Sequence, residues 1–257
     1  MVQSEPDRPE VLQVEASDIR ASLVEGGRDF LSAPHYGLFF ACFYVVGGWL
    51  VTWAVMAKGQ LWWTLPAAAG FPILGPFIAC GLYEVSRRLE AGQPLRRAEV
   101  FSVIFRQKDR QIPSMAAVIV VFFLFWNFLA HMIFALFLGR ATLTNVSSSL
   151  AVFLTPEGLA MLAVGTGVGA VFATLLFGLT VVSLPMLLER EVDFVTAMLT
   201  SLEVVRTSPV VMLGWGALIG GLLFVGMLPG FMGLFAVLPL LGHASWHLYR
   251  RAIAWGE

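Results

Sequence analysis

Uncharged length constrains this chain more than anything else in it. Six stretches, 36–56, 61–82, 114–138, 159–187, 209–228 and 230–248, are apolar and nearly free of charge. Each is close to or longer than the ~20 residues that a helix rising about 1.5 Å per residue needs to cross ~30 Å of hydrocarbon. A helix of a soluble domain keeps a polar face. The stretch 114–138 has only Asn127 and His131 to offer and carries no formal charge. With 58% hydrophobic and 13% charged residues, the chain reads as all-α: a polytopic membrane bundle of six transmembrane helices whose surroundings are the lipid bilayer.

A net charge of −1, without a basic patch interleaved by aromatics, gives no reason to expect nucleic acid. The first 17 residues are polar and acidic, lack the basic start and apolar middle of a secretory signal, and are expected to form a loosely ordered tail. The remainder, 18–257, is expected to be one transmembrane domain. Cys42 and Cys80, the only cysteines, both fall inside apolar runs and read as buried free thiols behaving as small hydrophobes.

Basic residues sort by loop. Fourteen of the sixteen lie before run one, between runs two and three, between four and five, or after six; Lys58 and Arg140 alone lie on the other side. The positive-inside rule then places both termini in the cytoplasm. Trp62 and Trp63 fit an outer aromatic belt, and Trp246, Tyr249 and Trp255 an inner one.

A threefold pattern runs through the chain. Short amphipathic stretches precede runs one, three and five, each closed by a proline: Pro34, Pro113 and Pro209. Their apolar faces read as Ile19, Leu23 and Phe30, opposite Arg20 and Asp29; as Val100, Phe101, Ile104 and Phe105, opposite Glu99; and as Phe194, Val195, Met198, Leu199 and Leu202, opposite Thr200 and Ser201. These are expected to be three interfacial helices. Runs two, four and six carry Pro76, Pro185 and Pro239, and Arg87–Arg88 follow the first at the interval by which Arg250–Arg251 follow the last. The hairpin units are about 18–97, 98–192 and 193–257, the middle one with an insertion at 140–158. Small residues at four-residue spacing, Gly165, Gly169 and Ala173, and Gly216 and Gly220, predict close backbone approach between helices.

No phosphate-cradling loop, CxxC pair, HExxH or nucleophile elbow occurs, and no charge lies deep in a run, so no enzyme is expected. His243 and His247, one helical turn apart, share a face near the inner end of run six, with His35 at similar depth. Such a pair can chelate a transition metal, but no acidic residue or cysteine clearly completes a shell, Glu84 being the nearest candidate. Hydrogen-bonded interfacial histidines are the plainer reading, and neither metal nor other cofactor is expected. Glu84, Arg87, Arg88 and Arg250, with Glu189 to Asp193, read as a charged collar joining the even-numbered helices to the interfacial ones. His35, Glu84, Arg87, His243, His247 and Arg250 are the residues to watch for binding.

The segments GPFIACGLYEVSRRLEAG (75–92), SLPMLLEREVDFVTAMLTSLEVVRTSP (183–209) and LPLLGHASWHLYRRAI (238–253) together resemble an uncharacterised bacterial family of predicted integral membrane proteins, a domain of unknown function. Some of its members carry a label as cytochrome c oxidase components. The resemblance implies an inner-membrane location and no established activity. A catalytic oxidase subunit would need more converging histidines than the four present. The sequence favours a non-catalytic accessory or assembly protein beside other subunits of a membrane complex, over a small transporter or channel and over a lipid-modifying enzyme.

Overall fold

The computed structural model describes residues 9–58, 64–107, 109–139 and 153–256. Three short helices, α1 (Ala16–Ser32), α4 (Arg97–Gln107) and α8 (Phe194–Thr207), alternate with longer ones. The latter are α2 (Pro34–Lys58), α3 (Thr64–Glu90), α5 (Ile112–Leu138), α6 (Pro156–Thr180), α9 (Pro209–Met227) and α10 (Leu234–Ala252), with α7 (Ser183–Glu189) continuing α6 after a break. Two-residue strands β1 (Glu10–Val11) and β2 (Ile253–Ala254) pair antiparallel, so the first and last described elements meet. Trp62, Trp63 and most of the insertion lie outside the described residues.

Local chemistry sets the boundaries. The backbone N–H of Glu15 donates to Asp18 Oδ2 at 2.8 Å at the start of α1, and Asp193 Oδ1 accepts the Thr196 N–H at 2.9 Å at the start of α8. Hydrogen bonds of this kind satisfy backbone donors that a helix end leaves orphaned. Pro34, Pro113, Pro156 and Pro209 stand in first turns, where the missing N–H costs nothing. Pro185 does the opposite. It cannot donate to Val181, and the helix breaks at Val181–Val182. The freed Val182 N–H is taken up by the buried Ser201 Oγ of α8 at 3.1 Å.

Four stretches are long and apolar enough to cross a membrane among the described residues: Pro34–Trp53, Ile112–Leu138, Pro156–Glu189 and Pro209–Met227. The chain is a helical membrane bundle. α10 falls outside that set for a visible reason. Pro239 lies against Gly37 in the first turn of α2, while the turn before α10 reaches only to Gly48, which meets the Phe231 ring. Between those levels α2 rises eleven residues, or about 16 Å, roughly half a hydrocarbon layer. From His243 onward α10 is polar and packs among charged groups.

The helices close a ring. α4 packs on α3, α8 on α6 and α7, and α1 on α10, so each short helix sits on the returning helix of the preceding unit, and the first sits on the last. α3, α7 and α10 touch one another inside, with α2, α5 and α9 around them. Buried bulk gathers toward the end where the short helices lie, in Tyr36, Phe40, Met115, Met186, Met212, Trp215 and Trp246. Elsewhere Phe125, Phe128 and Leu136 of α5 and Phe224 of α9 remain exposed.

Several expectations are corrected. The tail is not loose from Glu10 onward: beside the strand pair, Leu12 N–H donates to Ala252 O and Val14 N–H to Ser208 Oγ, both at 2.9 Å. α8 departs in part from its expected faces: Thr200 and Ser201 are buried and Leu199 is 60% exposed, while Glu203 is exposed and Phe194 and Met198 pack on the core as expected. Lipid can solvate the apolar side, whereas only protein can satisfy a broken backbone. The small-residue rows do not bring backbones together. Gly169 receives the Trp126 indole and Gly216 the Phe177 ring, while Gly165 and Gly220 face open space. Close approach occurs instead at Gly26, where a Cβ would stand 2.5 Å from Ala244 N. Both cysteines are free, but Cys42 is exposed and only Cys80 is buried.

Candidate functional site

The polar residues converge where α1, α3, α4, α7 and α10 meet. On α1, Asp18, Ser22, Glu25 and Asp29 recur at helical spacing, and the face they form is laid against α10. Asp29 Oδ2 lies 2.7 Å from His247 Nε2, and Glu25 Oε2 3.3 Å from His247 Nδ1. Arg251 donates to Glu25 at 2.8 Å and stands 3.8 Å from Asp18. That hydrogen bond and the Arg251 charge hold the Glu25 carboxyl below its ordinary range against the opposing effect of burial. Asp29, expected on the outer side of α1, thus faces its partner helix.

The opposite face of α10 joins the other two inner helices. Arg250 donates to Glu90 of α3 at 3.1 Å and to Glu189 of α7 at 3.0 Å. Trp246 Nε1 donates to Glu90 at 2.8 Å, and Tyr249 donates its hydroxyl hydrogen to Glu189. Arg190 lies over the Trp255 ring, 5.0 Å from its centroid. One guanidinium therefore ties three inner helices together.

On α3, Glu84 is fully buried and held by Arg87 at 2.8 and 2.9 Å and by Arg88 at 2.7 Å. Arg88 also pairs with Glu99 of α4. Arg88 and Arg251 each stand twelve residues after a proline, Pro76 or Pro239, and each reaches an acidic residue on the short helix that packs on its own. The proline–arginine spacing shared by the first and last units is thus matched by equivalent bonds; in the middle unit the Ser201 hydroxyl instead accepts the Val182 N–H.

Of the histidines, His243 is fully buried with Nδ1 2.8 Å from Ser86 Oγ, its Nε2 having no hydrogen-bond partner. His35 is exposed, its ring 4.2 Å from that of its neighbour Tyr36. His131 is exposed, with Nδ1 2.7 Å from Asn127 O of its own helix. Both ring nitrogens of His247 are engaged by carboxylates, and Glu84 is committed to arginines rather than to histidine. Among the described residues no group of three or more His, Cys, Asp or Glu side chains could hold a metal ion. Sequence reasoning missed Glu25, Asp29, Ser86, Glu90 and Trp246. The acidic spacing on α1 and the matching His247–Arg251 spacing on α10 were the available signals.

A second feature lies in the apolar half. A cavity of about 780 Å³ opens between α2, α3, α5, α6, α7, α9 and α10. Of its described lining residues only Tyr44, Thr52 and Thr180 carry a polar side-chain atom. Thr52 donates to Gly48 O at 2.8 Å and Thr180 to Leu176 O at 2.7 Å, each within its own helix.

Apolar helices around a polar, ion-paired end define a helical integral membrane protein. Residues 64–189 match the model of the family described as predicted integral membrane protein (DUF2189). The match covers α3 through α7, including Glu84, Arg87 and Arg88, but not α1 or α10. No curated protein and no solved structure matches the chain.

Proposed function

We propose that this is a non-catalytic accessory or assembly protein of a membrane complex, set in a bacterial cytoplasmic membrane with both termini inside. The observation that carries this reading is the commitment of the charged groups to one another. Glu84, Glu90, Glu189, His247, Arg250 and Arg251 are all bonded between or within helices, which makes a joint rather than a reaction centre. The short helices fix a rigid base, and the exposed rings of α5 and α9 offer apolar surface to lipid or to the spans of other subunits. The sorting of fourteen of sixteen basic residues to one set of loops in the sequence supports placing that side in the cytoplasm.

Transport of a small solute is the alternative that the cavity and the broken α6–α7 helix keep in view. An ion or sugar passing through would need polar partners along its route, and the described wall supplies few. Affinity purification of the full chain in mild detergent is the direct test. A reproducible set of membrane subunits is expected. Recovery of this chain alone, together with solute uptake into proteoliposomes, would overturn the accessory reading.

A further inference from the structure

The cavity among the inner helices has the size, wall chemistry and surroundings of a binding site. Its volume, about 780 Å³, falls within the ~300–1,000 Å³ range of small-molecule pockets. Water inside would find few partners, since the described wall offers three hydroxyls and both threonines already donate their hydrogens to their own helices. Along α2 the lining runs from Tyr44 to Thr52, a rise of about 12 Å. The space is apolar and extends at least that far along the helix.

A strained turn forms part of the wall. Phe231 has φ 67°, the only positive φ of a non-glycine residue among those described, and a bulky side chain rarely adopts that conformation. It places the ring against Gly48, where any Cβ would come within 2.9 Å, and into the cavity wall. Trp49 Nε1 fixes the same turn by donating to Gly230 O at 2.7 Å. α2 continues nine residues past Trp49 to Lys58, about 14 Å beyond the tip of the α9–α10 hairpin. A short hairpin, pinned by a strained residue, thus borders an apolar space inside a bundle bathed in lipid chains.

We infer that this cavity is a binding site for the acyl chain of a membrane lipid, held between α2, α5, α6 and α9 and bordered by Phe231. The occupant follows from the wall: a flexible hydrocarbon chain asks for no hydrogen bonds and can fold to fill an apolar space of this size. The site is independent of whether the protein serves a larger complex.

The test reconstitutes the full chain in vesicles containing a phosphatidylcholine with a diazirine in its acyl tail or, in a parallel arm, a diazirine fatty acid. Adducts are mapped by mass spectrometry. Labelling is expected at Phe123, Leu176 or Leu223 and should be displaced by excess unlabelled palmitate. Leu176→Trp and Leu223→Trp, filling the space from separate walls, should each lower it by about tenfold, as over-filling an existing space excludes its occupant. Labelling at Phe128, 64% exposed on α5, should not change. Phospholipid labelling assigns a tail from the bilayer, whereas labelling by fatty acid alone assigns the free acid; either supports the site. Adducts confined to exposed positions such as Phe128, or lining adducts that neither palmitate nor either tryptophan reduces, would overturn it.

Discussion

The two ends of this bundle are built on different rules. At the charged end, α1, α3, α4, α7 and α10 are joined by named bonds: Arg88 to Glu99, Arg250 to Glu90 and Glu189, His247 to Asp29. At the apolar end, rings sit against glycines, many side chains face outward, and a cavity remains. Lipid explains the contrast. Hydrocarbon surroundings give apolar side chains little reason to leave them for a protein interior. Desolvated charges and broken backbone, in contrast, must find partners within the chain. Tight specification therefore collects where the polar groups are.

Three changes would break or sharpen that contrast. The largest effect is expected from Glu84→Ala, which leaves the largely buried Arg88 without one of its two carboxylates. Removing one partner of a buried pair costs about 3–5 kcal/mol, so the thermal midpoint in detergent should fall steeply. A fall no larger than for an exposed change such as Leu136→Ala, within about 0.5 kcal/mol, would show that the joint is dispensable.

Next comes a pair of glycine variants. Gly26→Val collides with the Ala244 backbone and should cost about 1–3 kcal/mol through overpacking. Gly165→Ala, with nothing within 4 Å of its new Cβ, should stay within about 0.5 kcal/mol of the parent. Equal losses would erase the distinction between the two ends.

The smallest effect concerns acidity. The hydrogen bond from Arg251 holds the Glu25 carboxyl below its ordinary value of 4.5, so its contribution is present above that value and lost as pH falls through the lowered one. An exposed pair of this kind contributes about 1 kcal/mol or less. Thermal midpoints followed from neutrality to below 4.5 should decline, and Glu25→Gln should flatten that part of the curve. Coincident curves would show that the Arg251 bond contributes nothing to holding α1.

Much of the architecture was legible because it rests on periodicity and punctuation. The short helices and their closing prolines stand where the sequence places them, and so do Pro76, Pro185 and Pro239. The orientation of each helix was not legible. The faces of α8 were read as though water lay outside, yet Ser201 turns inward, where it accepts the Val182 N–H that the α6–α7 break leaves free, nineteen residues away in sequence. Asp29 likewise looked exposed until α10 brought His247 to it. Within the candidate site, Glu84, Arg87 and Arg88 lie within one stretch of α3 and were found together. Glu25 and Asp29 meet their partners across more than two hundred residues, a distance no local pattern spans.

The closure of α1 onto α10 sets an order of events during synthesis. A chain made from its amino end presents the acidic side of α1 long before His247 and Arg251 exist. Domains fold progressively as they emerge, and contacts between distant segments are the slowest to form. Glu25 and Asp29 must therefore wait, hydrated or held by something else, until α10 arrives. Residues made more than two hundred positions later complete the packing of α1.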